Sequence, residues 1–290
     1  MHYVTRFDEA ALQPAPLYED HSQGYTQATL IDHTVGSVHT GTHICQLAPQ
    51  GMLSPHFHAF EEGFYILQGE VVLGIDGQVY HLRQGDLGAI KVGQIHAWRN
   101  VGLEPVRWFQ MAAPQPKPAG GWQDTYFLGE GTAPVEGKPL DLRETGGNLL
   151  SHFDVGQIPP PGDPARQTTG APPGVFLKWL MDEKIGAIHH RLLFIEYQPG
   201  VSLAMHDHAF EECYFILSGE VEAVLEGRRH LARPGDVLWT SVGCFHSFTN
   251  IGTEPVRWLE TFSPQPPAEN VFRFMAEWEK KGQEIGNNQH

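Results

Sequence analysis

The sequence predicts an all-β protein: two tandem antiparallel β-barrels of the double-stranded β-helix or jelly-roll type, followed by a short C-terminal helix. Two observations carry this prediction. The chain repeats itself at a constant offset of 150 residues, so that the segment after His56 returns after His206. Short runs of alternating apolar and polar residues are also separated by turn signals roughly every 8–12 residues, which is typical of sandwiches and barrels.

The duplication keeps one register over about sixty positions without an insertion or deletion. Its longest uninterrupted match after the histidines is EPVRW, at residues 104–108 and again at 254–258. This period is too long for a solenoid and fits two globular units. We therefore expect an N-terminal domain over residues 1–145 and a C-terminal domain over residues 146–290.

The first elements along the chain are a lead-in and a set of strands. Residues 1–30 carry scattered prolines and apolar residues, so we expect an irregular segment that adds at most an edge strand. Runs such as 62–67 and 70–75, separated by the turn signal Gln68-Gly69, predict antiparallel strands of a sandwich or barrel. The second half repeats these runs at 213–217 and 220–225.

The linker and the end of the chain follow. Residues 117–174 are rich in Gly and Pro, which indicates a linker together with the lead-in of the second domain. Only residues 268–281 show helical spacing, with Val271, Phe274, Met275 and Trp278 on one stripe, so we expect a helix packed outside a barrel.

Charge and composition limit the partners. With 19 basic and 34 acidic residues the formal net charge is -15, which opposes a nucleic-acid backbone, so we expect no nucleic-acid partner. No apolar run approaches the roughly 20 residues that cross a bilayer, and the N-terminus lacks the apolar stretch of a signal peptide. The 3 cysteines occupy no equivalent positions, which indicates a reducing compartment. We expect a cytoplasmic protein with no membrane association.

Each repeat carries a candidate metal site. In an extended strand His56 and His58 project to the same side, and Glu62 joins them after a short turn. His96 follows a turn glycine more than thirty residues later and is expected on a neighbouring strand. The candidate ligands are His56, His58, Glu62 and His96 in the first half, and His206, His208, Glu212 and His246 in the second.

Three neutral imidazoles and one carboxylate suit a divalent transition metal such as Fe, Mn, Ni, Cu or Zn rather than Ca or Mg. We expect one ion per domain. A lone histidine on a β face is more often a core or surface residue, but here all four residue types are present in both halves. The spacing assigns no catalytic residue.

The same residues resemble the two signature motifs of the cupin superfamily. The first motif is matched by His56, His58, Glu62 and Gly69, and again by His206, His208, Glu212 and Gly219; the second by Gly85, Gly93, His96 and Asn100, and again by Gly235, Gly243, His246 and Asn250. The chain departs from the pattern at Lys91 and Ser241, where cupins usually have a proline. It looks like a bicupin, with two tandem cupin domains over about residues 35–116 and 185–266.

The resemblance implies a metal-dependent enzyme with a small-molecule substrate. Among bicupins, quercetinase-like dioxygenases, oxalate decarboxylases and ureidoglycine aminohydrolases are similar. Aromatic and apolar pocket candidates such as Trp98 and Phe248 favour a dioxygenase acting on a small oxygenated substrate of aromatic or enol type. The alternatives are a metal-dependent hydrolase or isomerase of the ureidoglycine aminohydrolase kind, and a non-enzymatic small-molecule-binding cupin.

Three further expectations concern the surroundings of these sites. Glu61 and Glu211 have the wrong strand parity for a metal ligand and are expected to face outward. Arg99, close to His96, is a candidate for holding a substrate carboxylate. Exposed strand edges favour pairing between chains, so we expect a homodimer.

Overall fold

The structure is a computed structural model that describes residues 1–116, 124–129, 131–145, 149–167, 171–265 and 273–276. The chain forms two compact units. The N-terminal unit consists of Arg6–Ile158 and Trp179–Leu192, and the C-terminal unit of Met1–Thr5, Pro159–Lys178 and Leu193–His290. The division of the sequence near residue 145 concerns the repeats and stays a prediction.

Strands make up most of the regular structure in the first half of the chain. They are β1 (His2–Arg6), β2 (Ser22–Ile31), β3 (Gly41–His58), β4 (Glu61–Gln68), β5 (Glu70–Ile75), β6 (Gln78–Arg83), β7 (Asp86–Ile90), β8 (His96–Arg99), β9 (Val106–Ala113), β10 (Thr125–Phe127), β11 (Leu140–Asp141) and β12 (Leu150–His152). A four-residue helix, α1 (Leu142–Thr145), follows β11.

The second half repeats this arrangement. Its strands are β13 (Val175–Met181), β14 (Arg191–Tyr197), β15 (Ser202–Asp207), β16 (Glu211–Ser218), β17 (Val221–Leu225), β18 (Arg228–Ala232), β19 (Asp236–Thr240), β20 (His246–Asn250), β21 (Val256–Ser263) and β22 (Arg273–Phe274). Short 3-10 turns are found at Glu9–Ala11, Pro16–His21, His33–Val35, Val155–Gln157, Pro164–Arg166 and Glu183–Ile185.

The N-terminal unit is one curled sheet with strand order β11-β6-β5-β8-β3-β9-β4-β7-β12, and β2 and β10 also pair with β3. Strand β3 bends and belongs to both faces, because residues 41–47 pair with β9 and residues 52–56 pair with β8. Gly51 lies at the bend, where a Cβ would approach the carbonyl oxygens of Gln23 and Ala48 to 2.7 and 2.8 Å. The bend therefore excludes a side chain and aims the end of β3 at β8.

The interior of this unit is filled by alternate residues of the strands. Trp98 and Trp108 are fully buried and stack with ring centroids 5.2 Å apart. Phe64 meets Trp98 edge to face at 5.0 Å. Each fully buried large apolar side chain contributes about 1.5–3 kcal/mol to folding. These rings belong to one hydrophobic core cluster, which reaches the histidines through Tyr18.

The C-terminal unit contains two sheets, with the orders β1-β19-β16-β21-β14-β13 and β18-β17-β20-β15-β22. Trp258 and Phe248 stack in its interior at 5.6 Å, and Tyr197 meets Trp258 edge to face at 4.7 Å. The predicted all-β fold with two tandem barrels is confirmed. Among the described residues, no helix is long and apolar enough to span a membrane.

The end of the chain differs in part from the prediction. Arg273 and Phe274, placed in a helix by their spacing, form β22 and pair with the edge of β15. Residues 275–276 are helical, and the rest of the predicted helix over 268–281 lies outside the described residues. An open strand edge offers backbone hydrogen bonds that local helical periodicity does not reveal. Residues 22–30 of the predicted lead-in belong to β2, which pairs with β3.

Candidate metal centres

The N-terminal unit brings four predicted ligands together at one end of its barrel. His56 and His58 end β3, and His56 lies directly opposite His96 of β8. The ligand nitrogens of the three histidines lie within 4.8 Å of one another. Glu62 of β4 places its Oε2 atom 2.9 Å from His58 Nε2 and 3.7 Å from His96 Nε2. All four side chains are buried.

The C-terminal unit repeats this geometry. His206 of β15 lies opposite His246 of β20, and the three histidines again converge within 4.8 Å. Glu212 of β16 places Oε2 2.6 Å from His208 Nε2 and 3.4 Å from His246 Nε2. All eight predicted ligands are therefore gathered into two groups of four.

Hydrogen bonds at the Nδ1 atoms fix the tautomer of the histidine rings and leave Nε2 facing the centre of each group. In the C-terminal group the Nδ1 atoms of His206, His208 and His246 lie 2.7–3.0 Å from backbone carbonyl oxygens. A carbonyl oxygen only accepts, so each Nδ1 carries the proton and each neutral ring turns the lone pair of Nε2 towards the centre. His56 and His96 do the same with the carbonyls of Ser54 and Gln94.

The inner nitrogens fit a metal ion. His58 Nε2 and His96 Nε2 are buried and have no hydrogen-bond partner among the described residues. Glu62 is close to both, but its approach lacks the alignment of a hydrogen bond. A buried polar atom without a partner costs about 1–3 kcal/mol, and an ion bound by both nitrogens and the carboxylate removes that cost.

Burial and the carboxylates set the protonation of the two groups. Burial lowers the pKa of His56, with further lowering by His96, and lowers the pKa of His246 to about 3. Burial alone would raise the pKa of Glu212, but its contacts with His208 and His246 lower it to about 2. At neutral pH the centre of the C-terminal unit therefore presents a carboxylate and at least two neutral imidazoles.

His58 and His208 respond differently to the same surroundings. Burial lowers the pKa of His58. His208 is also opposed by burial, but the charge of Glu212 outweighs it and raises the pKa of this histidine. An aromatic ring covers each imidazole: Phe60 stacks on His58 at 4.3 Å, and Phe210 on His208 at 4.0 Å. These rings fix the imidazole planes and keep water from one side of each centre.

One hydroxyl distinguishes the two centres. Tyr214 donates a hydrogen bond to Glu212 Oε2, and its oxygen lies 3.2 Å from His246 Nε2. Burial raises the pKa of Tyr214, so it stays a donor. The equivalent residue of the N-terminal unit is Phe64, which has no hydroxyl. The N-terminal carboxylate therefore has no such donor at this position.

A cavity of about 640 Å³ lies beside the N-terminal centre. Phe60, Thr125 and Tyr18 form the wall between the two: Phe60 stacks on His58, Thr125 Oγ1 lies 2.8 Å from His58 Nδ1, and the Tyr18 ring meets His56 edge to face at 5.9 Å. The cavity is lined mainly by apolar surface, including Pro16, Leu17, Ala112 and Pro116.

Several polar side chains line this cavity, among them Gln27, His43 and Gln110. The Gln27 Nε2 atom lies 2.7 Å from His43 Nδ1. Burial lowers the pKa of His43 to about 4, so the ring is neutral at neutral pH. Gln110 accepts a hydrogen bond from the Cys45 thiol at 2.6 Å. The cavity therefore offers neutral hydrogen-bonding groups on a mainly apolar surface, together with the carboxylates of Asp32 and Asp124.

One expectation about neighbouring residues was wrong. Glu61 and Glu211 are buried rather than outward-facing, and Glu61 accepts hydrogen bonds from the backbone amides of Ile188 and His189. Arg99 pairs with the exposed Glu136 at 2.8 Å, and its role in holding a substrate carboxylate stays a prediction. Sequence reasoning also missed Thr125 and Tyr18, which reach the centre from the predicted linker and lead-in and carry no motif.

The fold and the two four-residue centres define a protein with tandem barrels and one histidine-rich site in each barrel. The model of the cupin domain matches residues 43–111 and 193–262. Polyketide synthase CurC of Streptomyces cyaneus is 31% identical over 104 residues, which are 35% of this chain and 68% of that protein. The tetracenomycin polyketide synthase protein TcmJ of Streptomyces glaucescens is 31% identical over 104 residues, 35% of this chain and 70% of that protein. The chain belongs to the cupin family and, with two such domains, is a bicupin.

Solved structures share the fold over most of the chain. An oxalate decarboxylase of Lactobacillus farciminis in complex with formate has a TM-score of 0.67 and 15% identity, over 98% of this chain and 92% of that chain. A variant of salicylate 1,2-dioxygenase from Pseudoaminobacter salicylatoxidans in complex with gentisate has a TM-score of 0.69 and 13% identity, over 95% and 86%. At such low identity these likenesses concern the fold alone.

Proposed function

We propose that the chain is a metal-dependent dioxygenase that acts on a small oxygenated organic substrate of aromatic or enol type. One observation carries this proposal: a cavity of about 640 Å³, lined mainly by apolar surface, lies next to the buried donor set of the N-terminal unit, and its wall residues Phe60, Thr125 and Tyr18 contact His58 and His56. Ligand pockets are usually about 300–1,000 Å³ with a few placed polar groups, so the cavity suits an organic molecule of several rings or a folded chain.

The protein residues hold the ion and keep its surroundings fixed. His56, His58 and His96 bind it through Nε2, and Glu62 supplies the negative charge. The carbonyls of Ser54 and Gln94, with Thr125 Oγ1, orient the three rings. A redox-active divalent ion held by these residues would supply the Lewis acidity and the electron transfer that a reaction with O2 needs.

The cavity residues bind and orient the substrate. Phe60 and Tyr18 provide aromatic surfaces next to the centre, and their burial excludes water from it. Neutral His43 and the amides of Gln27 and Gln110 offer hydrogen bonds to hydroxyl or carbonyl oxygens of the substrate. Holding a reacting group beside the ion in a fixed orientation is itself a large contribution to the rate.

The charge of the cavity favours a phenol or enol over a dicarboxylate such as oxalate. Its described lining contains Asp32 and Asp124 but neither lysine nor arginine. A compact dianion would meet two carboxylates and no lysine or arginine, so the bound ion would be its only cationic partner in the described lining, which is less favourable than for a neutral phenol or enol. The similarity to two polyketide synthase proteins supports the same substrate class, because polyketides are rich in enolisable carbonyls and phenols.

The test combines metal analysis with oxygen uptake. Untagged protein purified without a metal resin should contain close to two equivalents of Fe, Mn, Ni or Cu, and His58→Ala and His208→Ala should each lose one. Oxygen consumption would then be followed with hydroxybenzoates, catechols and β-diketones. We expect uptake to be abolished by His58→Ala, and Thr29→Trp, at an exposed position of the cavity lining, to raise KM while metal content stays unchanged.

Each contrary outcome selects a different function. Zinc alone with no oxygen uptake would overturn the dioxygenase proposal and favour Lewis-acid chemistry, as in a hydrolase or isomerase. No metal under any loading condition would leave a small-molecule-binding cupin. Activity that survives His58→Ala and disappears in His208→Ala would move the reaction to the C-terminal unit.

A further inference from the structure

A third cluster of metal-ligating side chains lies in the C-terminal unit, away from the motif histidines. The ligand atoms of His2, Glu226 and Cys244 lie within 4.8 Å of one another. His2 Nδ1 is 2.9 Å from Glu226 Oε2. The His2 side chain is 8% exposed and Cys244 is buried, whereas the Glu226 side chain is 42% exposed. We propose that these three residues form a separate binding site for a borderline divalent ion such as Zn²⁺.

Backbone hydrogen bonds hold the three contributing segments together. The amide of Ser241 donates to the Met1 carbonyl at 2.9 Å, which places the start of β1 beside the end of β19. The Glu226 amide donates to the Phe245 carbonyl at 2.8 Å, which ties the β17–β18 turn to the residue after Cys244. The ligand atoms therefore converge because the backbone is fixed, and little further ordering is needed to bind an ion.

The donor set indicates the class of ion. A thiolate sulfur, an imidazole nitrogen and a carboxylate oxygen are borderline-soft ligands that zinc accepts in tetrahedral sites, unlike calcium or magnesium. On binding, the Cys244 thiol proton passes to solvent and the sulfur binds as thiolate. Three protein ligands leave the fourth position to a water on the side of the partly exposed Glu226 side chain.

His230 acts as a positioning residue for His2. The two Nε2 atoms lie 3.3 Å apart and the rings meet edge to face, with centroids 5.2 Å apart. A proton on His2 Nε2 that is donated to His230 leaves the lone pair of His2 Nδ1 directed at the ion position. The other carboxylate oxygen, Glu226 Oε1, accepts from the α-amino group of Met1 at 2.6 Å. Such outer contacts are what orient ligands at metal sites.

The duplication provides an internal comparison. The N-terminal unit has Asp76 and Gln94 at the positions of Glu226 and Cys244. Gln94 Nε2 donates to Asp76 Oδ2 at 2.6 Å, so in the N-terminal unit these two side chains form a hydrogen bond with each other. The turns are alike, since φ is 52° at Asp76 and 47° at Glu226. The two turns therefore have the same left-handed conformation at this residue, and the C-terminal unit has a cysteine where the N-terminal unit has Gln94.

The absorption of bound Co²⁺ can report on this cluster without a contribution from the two motif centres. Those centres contain no sulfur, so a near-ultraviolet cobalt–thiolate charge-transfer band would report only a site with cysteine. Co²⁺ titration of the untagged full chain should produce this band with a stoichiometry of one. We expect Cys244→Ser and His2→Ala to abolish it, and Asp76→Asn and Cys45→Ser to leave it unchanged.

The positioning role has its own measurement. His230→Ala should keep the band but weaken Co²⁺ affinity by about 10- to 100-fold, the usual effect of removing a residue that orients a ligand. Glu226→Gln, a change at a partly exposed side chain, should also weaken affinity and covers the case in which Cys244→Ser does not fold. Absence of the band at saturating Co²⁺, or its persistence in Cys244→Ser, would overturn the proposal. The test is independent of any dioxygenase activity.

Discussion

Glu61 should contribute more to stability than any exposed carboxylate of the N-terminal unit. It is 1% exposed, accepts the backbone amides of Ile188 and His189 at 2.7 and 3.0 Å, and lies 2.7 Å from His190 Nδ1. Glu61→Ala removes the acceptor of these groups. Losing a hydrogen bond to a charged acceptor costs about 1.5–3 kcal/mol. At about 2–4 °C per kcal/mol for a domain of this size, the Tm should fall by about 3–12 °C.

Urea and thermal unfolding of the metal-free chain would measure this effect, with Glu104→Ala as the matched control. Glu104 is exposed, and its loss should change the free energy of unfolding by less than about 0.5 kcal/mol. A second variant tests the same contact from the other side. In Gly63→Ala the new Cβ would lie 2.1 Å from His190 Nε2, so the imidazole must leave Glu61. A loss below about 1 kcal/mol in both variants would refute the reasoning.

The contribution of Glu61 also depends on pH. Burial raises its pKa, but His190 and the backbone amides outweigh burial and lower the pKa below the ordinary value of 4.5. A carboxyl whose folded pKa is depressed stabilises the protein above its unfolded pKa and loses that effect as pH falls through the folded value. The difference in stability between the wild type and Glu61→Ala should therefore be complete at pH 7 and shrink below about pH 4.5.

Three further substitutions test other contacts. Tyr214→Phe removes the hydroxyl that donates a hydrogen bond to Glu212. Such a charged hydrogen bond is worth about 1.5–3 kcal/mol, so the metal affinity of the C-terminal unit should rise by about tenfold or more. Chelator competition would measure the affinity, and an unchanged value would contradict the prediction. Gly74→Ala places a Cβ 2.1 Å from the Pro134 carbonyl oxygen and should lower unfolding free energy by about 1–3 kcal/mol in urea, whereas unchanged stability would mean that the close approach is relieved freely. Asn250→Ala removes an amide that donates to two carbonyls at 2.9 Å and accepts from a third group; we expect about 1–3 kcal/mol of destabilisation by calorimetry, and a neutral result would show that water replaces it.

The sequence predicted the residues of both centres because a repeated spacing constrains them. His56 and His58 share a face by strand parity, and their repetition at a fixed offset selected them from the 17 histidines of the chain. Parity separates Glu61 from Glu62 along β4 but did not show that Glu61 is buried, because it is covered by residues 188–190, whose amides donate to it. No local pattern records a tertiary contact of this kind.

The residues that surround the centres could not be predicted from the sequence, because they come from segments that are distant along the chain. Thr125 reaches His58 because β10 pairs with β3, and Tyr18 reaches His56 from a 3-10 turn. Both segments are far from the motif in sequence and lack periodicity. The cluster of His2, Glu226 and Cys244 has no motif spacing either, since its members lie in three separate segments. Contacts of this kind become visible only when the barrel is closed.

The duplication preserved the ligands of both centres but not their surroundings, and this favours a division of roles. Phe64 leaves Glu62 without a hydroxyl donor at that position, beside a cavity bounded by Phe60 and Thr125. The equivalent Tyr214 donates a hydrogen bond to the Glu212 carboxylate of the C-terminal centre. An incoming ligand must displace that hydroxyl or accommodate it, whereas the N-terminal centre presents only aromatic and small polar groups. The paired exchange Phe64→Tyr and Tyr214→Phe therefore tests the assignment directly, because it moves the hydroxyl while both donor sets stay intact; oxygen uptake should fall with the first change alone.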